Sequence, residues 1–292
     1  MKLLQNKIKE AVRLHKINQT VIEKDYALSY VLAGIASVPA LSGTLIFKGG
    51  TALKKLYFGN YRFSEDLDFT AAIESPEGEE LEKNLNLALT ETLRMLSEYG
   101  PFTANLFRYR EKEPHPEGQE AFIIRLKYPW HPEALCRIKI EITHKELILL
   151  KPEKRNLIHD YEESLKVTLQ SYRIEEIIIE KMRTILQTYQ NLLRRGWTRP
   201  RARDYYDLWR LLNEFKETID KNIMPELLKK KCEYKKVSYK NLEDFFPPSL
   251  ISEVKRNWEQ NLHPFLSELP LCNSVLSELQ EKLLPELFFI KK

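Results

Sequence analysis

Residues 45–70 read LIFKGGTALKKLYFGNYRFSEDLDFT, and their pattern decides the fold. The apolar run Leu45-Ile46-Phe47 is a strand, and Gly49-Gly50-Thr51 is a tight turn. Ala52 to Tyr57 is a short helical pattern. After the Gly59-Asn60 turn, Asp66-Leu67-Asp68-Phe69 is a second strand. In a strand, residues two apart share a face. Asp66 and Asp68 therefore point one way, and Leu67 and Phe69 point into a core. Adjacent carboxylates repel unless a cation lies between them. Mg2+ is held by one or two carboxylates together with substrate phosphates. The Gly-Gly-Thr turn offers backbone N–H groups and a hydroxyl where anions are favoured. Either feature alone is ordinary: Asp-x-Asp is common on solvated strand edges, and Gly-Gly is usually a plain turn. Their combination is specific.

The chain has 292 residues and 43% apolar content, enough for one large or two ordinary cores. No apolar run approaches the length that crosses a bilayer. The opening MKLLQNKIKEAVRLHK is charged throughout and lacks a signal-peptide core. Three separated cysteines, Cys136, Cys232 and Cys272, argue against structural zinc and against a disulfide framework. A reducing, cytoplasmic setting with no membrane partner is expected. The formal charge of +4 permits a nucleic-acid partner without demanding one.

Outward from the central stretch, residues 1–36 are expected to be helical. Asn18-Gln19-Thr20 supplies an N-cap, and Glu23 stands at capping-box spacing from Thr20. Glu23-Lys24-Asp25-Tyr26 is expected as a charged, solvated turn. Leu81 to Tyr99 is an amphipathic helix that Pro101 ends. Strands are expected over 102–110 and 121–128, with a polar loop around Pro114-His115-Pro116. The strict alternation of Arg137-Ile138-Lys139-Ile140-Glu141-Ile142-Thr143 is a half-buried strand, with Lys139, Glu141 and Thr143 on its polar face. From Ile174 the chain is mostly helical. Ile174 to Leu193 is one helix, and Arg194 to Arg203 a basic connector around Trp197. Asp204 to Phe215 is a second helix, with Asp204 as N-cap or first-turn acid. Arginine forks suit phosphate and an indole can stack on a base, but such a connector is also an ordinary solvated loop. Lys229 to Lys236 is expected to be a solvated basic patch. The tail from Asp244, with a closing helix around 275–284, carries no functional signal.

The Gly-Gly-Thr and Asp-x-Asp pattern resembles the first motif of the nucleotidyltransferase superfamily that includes DNA polymerase beta. Arg62-Phe63-Ser64-Glu65-Asp66-Leu67-Asp68-Phe69 narrows it to the AbiEii/AbiGii-type nucleotidyltransferase toxins, which include the MenT toxins. The spacing from Thr51 to Asp66 is slightly longer than the superfamily's usual range. Glu23 to Tyr26, Glu180-Lys181 and Arg203-Asp204-Tyr205-Tyr206-Asp207-Leu208 are similar to that family's other motifs. The resemblance implies an α+β fold: a nucleotidyltransferase domain with a small mixed sheet over 1–152, then a helical domain over 153–292 that completes the cleft. It implies Mg2+ (or Mn2+) at Asp66, Asp68 and Glu141. It implies nucleotide contacts from Gly49, Gly50, Thr51, Arg62, Ser64 and Lys181. Asp204 or Asp207 would assist catalysis, and a helix lets both face one way. The implied activity is transfer of a nucleoside monophosphate from an NTP, most naturally to the 3′ end of tRNA. The protein would be the toxin of a toxin–antitoxin pair, with a cognate antitoxin and a link to phage defence. A protein or small-molecule acceptor, or a non-enzymatic scaffold, are the other readings. Lys181 sits at the edge of an apolar stripe, where it must either snorkel out to solvent or meet an anion, a carboxylate or a phosphate.

Overall fold

The computed structural model describes residues 2–110, 118–197 and 199–288. The Pro114-His115-Pro116 loop and Thr198 of the connector lie outside the described residues. The chain forms two compact units. The first comprises Met1–Glu146, Pro152–Tyr172 and Phe265–Ser267; the second comprises Leu147–Lys151, Arg173–Pro264 and Glu268–Lys292.

The first unit begins with α1 (Lys2–His15) and α2 (Gln19–Ser37). The expected single helical stretch is broken between them, where Lys16 takes a left-handed φ of 54°. Asn18 caps α2 by accepting from Thr20 N at 2.9 Å. Glu23 takes no part in that cap, because its side chain is buried and engaged elsewhere. A short helix α3 (Pro39–Ser42) precedes β1 (Leu45–Lys48) and α4 (Gly49–Ala52). A π-turn, Leu53–Tyr57, leads on to β2 (Asp66–Ala71) and α5 (Gly78–Leu96). Then come β3 (Thr103–Tyr109), β4 (Gln119–Lys127), β5 (Cys136–Thr143), β6 (Glu153–Asn156) and β7 (Thr168–Ser171).

These strands form one mixed seven-stranded sheet in the order β3-β4-β5-β2-β1-β7-β6. The sheet is larger than expected, and the division at 152 moves to 172, because β6 and β7 pair with each other and β7 pairs with β1. Both added strands are four residues long and polar, EKRN and TLQS, so no apolar pattern announces them.

One face of the sheet builds the core. Leu67 and Phe69 of β2, Phe122, Ile124 and Leu126 of β4, and Ile138, Ile140 and Ile142 of β5 join a single apolar cluster with α2 and α5. The helix α2 is buried almost all round between Ile22 and Ile35, as suits a helix apolar on every side. It approaches α5 closely at Gly34, where a Cβ would lie 2.2 Å from Thr92 Oγ1 and 2.3 Å from the Ala88 carbonyl oxygen. The tetrad expected to be solvated is mostly interior: Glu23, Asp25 and Tyr26 are buried. Trp130 Nε1 donates to Glu23 Oε1 at 2.9 Å, and His131 Nε2 lies 2.9 Å from Glu23 Oε2.

The second unit is helical: α6 (Ile174–Arg195), α7 (Ala202–Glu214), α8 (Met224–Tyr234), α9 (Pro248–Leu262), α10 (Cys272–Glu278) and α11 (Pro285–Phe288). Gly196 ends α6 with a left-handed φ of 72°, the usual helix C-terminal device. α7 starts at Ala202, so Asp204 is a first-turn acid and not the cap. Lys231, expected on a solvated patch, is fully buried on α8. Its Nζ lies 2.8 Å from Glu176 Oε1 and 2.6 Å from Glu180 Oε1, and it donates to the Leu147 carbonyl. Burial alone would lower the Lys231 pKa, but Glu180 and Glu176 more than reverse that and hold it raised.

Gly34→Ala should destabilise the protein by about 1–3 kcal/mol, since the added methyl has no room between α2 and α5. Urea unfolding monitored by circular dichroism measures it, and an unchanged midpoint would refute the close-packing account.

Candidate active site

The site grows from the register of two parallel strands. β2 pairs with β5 so that Asp66 stands opposite Lys139 and Asp68 opposite Glu141. Residues in register share a face, so Asp66, Asp68, Lys139 and Glu141 all project from the sheet face away from the core. On the other side of β2, Lys48 of β1 is in register with Asp68. The expected third carboxylate is thus on the neighbouring strand, level with the second.

The Gly-Gly-Thr turn is fitted against the Asp-x-Asp segment and the loop that leads into it. Gly49 has φ +80°, and a Cβ there would stand 2.5 Å from Asp68 Oδ2. Both the backbone conformation and the close approach require glycine. A Cβ on Gly50 would stand 2.6 Å from Arg62 Nη2 and 3.2 Å from Ser64 Oγ. The Thr51 hydroxyl is buried and donates to the Asp66 carbonyl. Thr51 therefore clamps the turn to β2, and its hydroxyl is engaged by the protein itself. The loop that lengthens the motif carries Arg62 and Ser64 to Gly50. Gly49, Gly50, Thr51, Arg62, Ser64, Asp66 and Asp68 are accordingly gathered in one place.

The electrostatics are those of crowded anions. Asp66 stands at the exposed start of β2, yet its carboxyl is partly desolvated. That desolvation, followed by the charges of Glu141 and Glu65, raises its pKa, while Lys24 and Lys139 partly offset them. Lys139 Nζ reaches Glu141 Oε1 at 2.6 Å, and Gln119 Nε2 donates to the same oxygen at 2.6 Å. Lys24 Nζ pairs with Glu65 Oε1 at 2.6 Å. Lys24 belongs to the tetrad expected to be solvated, and Lys48 and Gln119 are not singled out by sequence. Lys48 could have been, from its place directly before the turn, whereas Gln119 depends on a pairing the sequence does not print. Among the described residues, no three acidic, histidine or cysteine side chains are drawn together closely enough to hold an ion. The donor set nevertheless fits a hard divalent cation: carboxylates on one face, one of them with its pKa raised by desolvation and then by its like-charged neighbours.

In the second unit, Lys181, Asp204 and Asp207 meet. Lys181 Nζ lies 2.6 Å from Asp207 Oδ2 and 3.1 Å from Asp204 Oδ1. Asp207 is fully buried and Lys181 nearly so. Asp204 and Asp207 thus share one turn and one cation. Of the connector, Trp197 is exposed. Arg201 donates to Thr188 Oγ1 at 2.7 Å, and Arg203 to the Asn261 carbonyl at 3.1 Å.

Residues 30–284 match the family model described as nucleotidyl transferase AbiEii toxin, type IV toxin–antitoxin system. Among solved structures, the fold is similar to that of MenT4, a nucleotidyltransferase toxin from Mycobacterium tuberculosis. The TM-score is 0.51 at 22% identity, covering 77% of this chain and 71% of that one. No curated protein matches the sequence. The family match spans most of the chain and takes in the Gly-Gly-Thr turn, both aspartates, Glu141 and the Lys181 cluster: the chain belongs to the AbiEii nucleotidyltransferase toxin family and is a nucleotidyltransferase.

Proposed function

We propose that this nucleotidyltransferase moves a nucleoside monophosphate from an NTP to the 3′ hydroxyl of an RNA, tRNA being the expected acceptor, in the cytoplasm. It acts as the toxin of a toxin–antitoxin pair with a role in phage defence. The observation that carries the reading is the register of Asp68 with Glu141, with Asp66 on the same face and the Gly49-Gly50 turn packed on Asp68. A bond forms between the acceptor hydroxyl oxygen and the α-phosphorus, the bond to the β-phosphate breaks, pyrophosphate leaves, and the hydroxyl proton passes to water. Mg2+ held by Asp66, Asp68 and Glu141 would neutralise the phosphate charge and steady the pyrophosphate as it departs. Arg62 and Ser64, set against Gly50, would orient phosphate oxygens, and fixed donors of this kind act mainly by positioning. No helix among the described residues is long and apolar enough to cross a membrane.

Incubation with each labelled NTP, Mg2+ and total cellular RNA tests the reading. Label should appear in RNA of tRNA size. Label in protein or in small molecules alone would refute the RNA acceptor. Asp68→Asn should abolish transfer and leave the melting temperature close to that of the parent. Transfer at the parental rate would remove Asp68 from the metal site.

A phosphate-holding role for Lys181 is part of the same proposal. Lys181 already compensates the buried Asp207 carboxylate, so its removal takes a charged partner from a buried acid. Lys181→Ala should therefore lower apo stability by about 3–5 kcal/mol whether or not the residue meets phosphate. The ligand response separates the roles. NTP·Mg2+ stabilises the folded state by mass action, and in Lys181→Ala most of that rise in melting temperature should vanish. An unchanged rise would exclude phosphate contact and leave the connector arginines as the next candidates.

A further inference from the structure

The carboxylate face of the sheet continues past the site. Because β3, β4, β5 and β2 are neighbours in register, their outward residues form rows. One row runs Phe107, Ile123, Lys139, Asp66. The next runs Tyr109, Ala121, Glu141, Asp68. Each row thus begins with an aromatic ring on β3 and ends on an acid of the Asp-x-Asp pair, about 14 Å away across three strand spacings. A flanking row carries Arg125 and Arg137, also in register with each other.

The rings and the two arginines are open, while Ala121 between them is buried. Phe107 is 50% exposed and Tyr109 42%, while Arg125 and Arg137 are both exposed. The opposite side of β3 is different: Arg108 lies over the Phe122 ring at 4.8 Å and pairs with Glu82 at 2.9 Å. On the open side, each ring has a cation beside it. The Arg125 guanidinium lies 6.0 Å from the Phe107 ring centroid, and Lys139 Nζ 5.3 Å from that of Tyr109.

A solvated strand does not need two aromatic rings. Rings alternating with arginine and lysine match a chain that alternates bases and phosphates. Aromatic side chains stack unpaired bases, and adjacent cations follow the backbone. We infer that the outward face of β3, β4 and β5 is a platform for the single-stranded end of the RNA acceptor, on which Phe107 and Tyr109 stack bases and Arg125 and Arg137 hold phosphates. The rows then direct the terminal hydroxyl toward Asp66 and Asp68. The inference rests on the RNA-transfer reading for its choice of RNA, and its own evidence is the sheet face.

The test is fluorescence anisotropy of a short labelled single-stranded oligoribonucleotide with a 3′ hydroxyl, titrated with the full chain across a salt series. Phe107→Ala should weaken binding about tenfold, and Phe107→Tyr should restore it. The double variant Arg125→Ala, Arg137→Ala should reduce the slope of log affinity against log salt by about 1.4. In all of them the NTP·Mg2+-induced rise in melting temperature should match the parent, showing an intact fold and nucleotide site. In transfer assays the acceptor KM should rise while kcat at saturating RNA holds. Parental affinity and salt slope in Phe107→Ala and in the double variant would overturn the platform, as would no binding of the oligoribonucleotide by the parent. If the parent transfers nucleotide to RNA and the variants keep its acceptor KM, the platform falls and the RNA-transfer reading stands. If the variants lose RNA binding but no NTP labels any RNA, the platform stands and that reading falls.

Discussion

A buried ion pair holds the catalytic half of this protein in register. Lys55 Nζ lies 2.7 Å from Asp25 Oδ2 and 3.0 Å from Ser29 Oγ, with both charged side chains out of solvent. Burial alone would push the Asp25 carboxyl up, yet Lys55 and then Lys54 hold it below its ordinary value. Burial draws the Lys55 ammonium down, and Asp25 opposes the change. Such a pair adds little over an apolar contact, but losing one partner leaves a stranded charge. Its value here is positional. Lys55 follows the Gly-Gly-Thr turn directly, and Asp25 is in the middle of α2. Lys54 makes a second tie, to Asp160 Oδ2 at 2.8 Å. The π-turn that carries both lysines is thereby fastened on two sides, and Gly49, in the short helix just before it, stays pressed against Asp68.

That fastening explains which parts of the chain could be read in advance. The strand, the turn and the Asp-x-Asp strand are local patterns, and alternation alone put Glu141 on the polar face of β5. The charged tetrad was misread because a helix turn of Glu, Lys, Asp and Tyr carries no mark of burial. Its partners, Lys55, Trp130 and His131, come from distant stretches. Lys231 was misread for the same reason: a lysine in KKKCEYKK is interior only because Glu176 and Glu180 wait for it. Lys181 was the better case. Its place at the edge of an apolar stripe called for solvent or an anion, and in the structure it pairs with Asp204 and Asp207.

The site is built against its own comfort. Burial and the charges of Glu141 and Glu65 weigh against an ionised Asp66, and Lys24 and Lys139 relieve this only in part. The nearby cations hold Glu65 and Glu141 by single contacts at half-buried positions, where ion pairs exchange readily with other partners. On the proposed reading, such loose internal pairing would serve an enzyme that takes in a metal-bound polyphosphate. The helical unit does the opposite, closing Lys181 onto a fully buried aspartate.

The chain's division also bears on how the molecule comes to be made. The first unit is not finished at Tyr172: Phe265 belongs to it, joins its apolar cluster, and accepts a hydrogen bond from Phe63 N at 2.9 Å. Conversely, Leu147–Lys151 belongs to the helical unit, where Leu149 and Leu150 donate to Glu176. A ribosome that has released only the sheet has therefore delivered a strap with no anchor and a core missing a ring. Neither unit can reach its final form until nearly the whole polypeptide has emerged, so the nascent toxin stays incomplete through most of its synthesis.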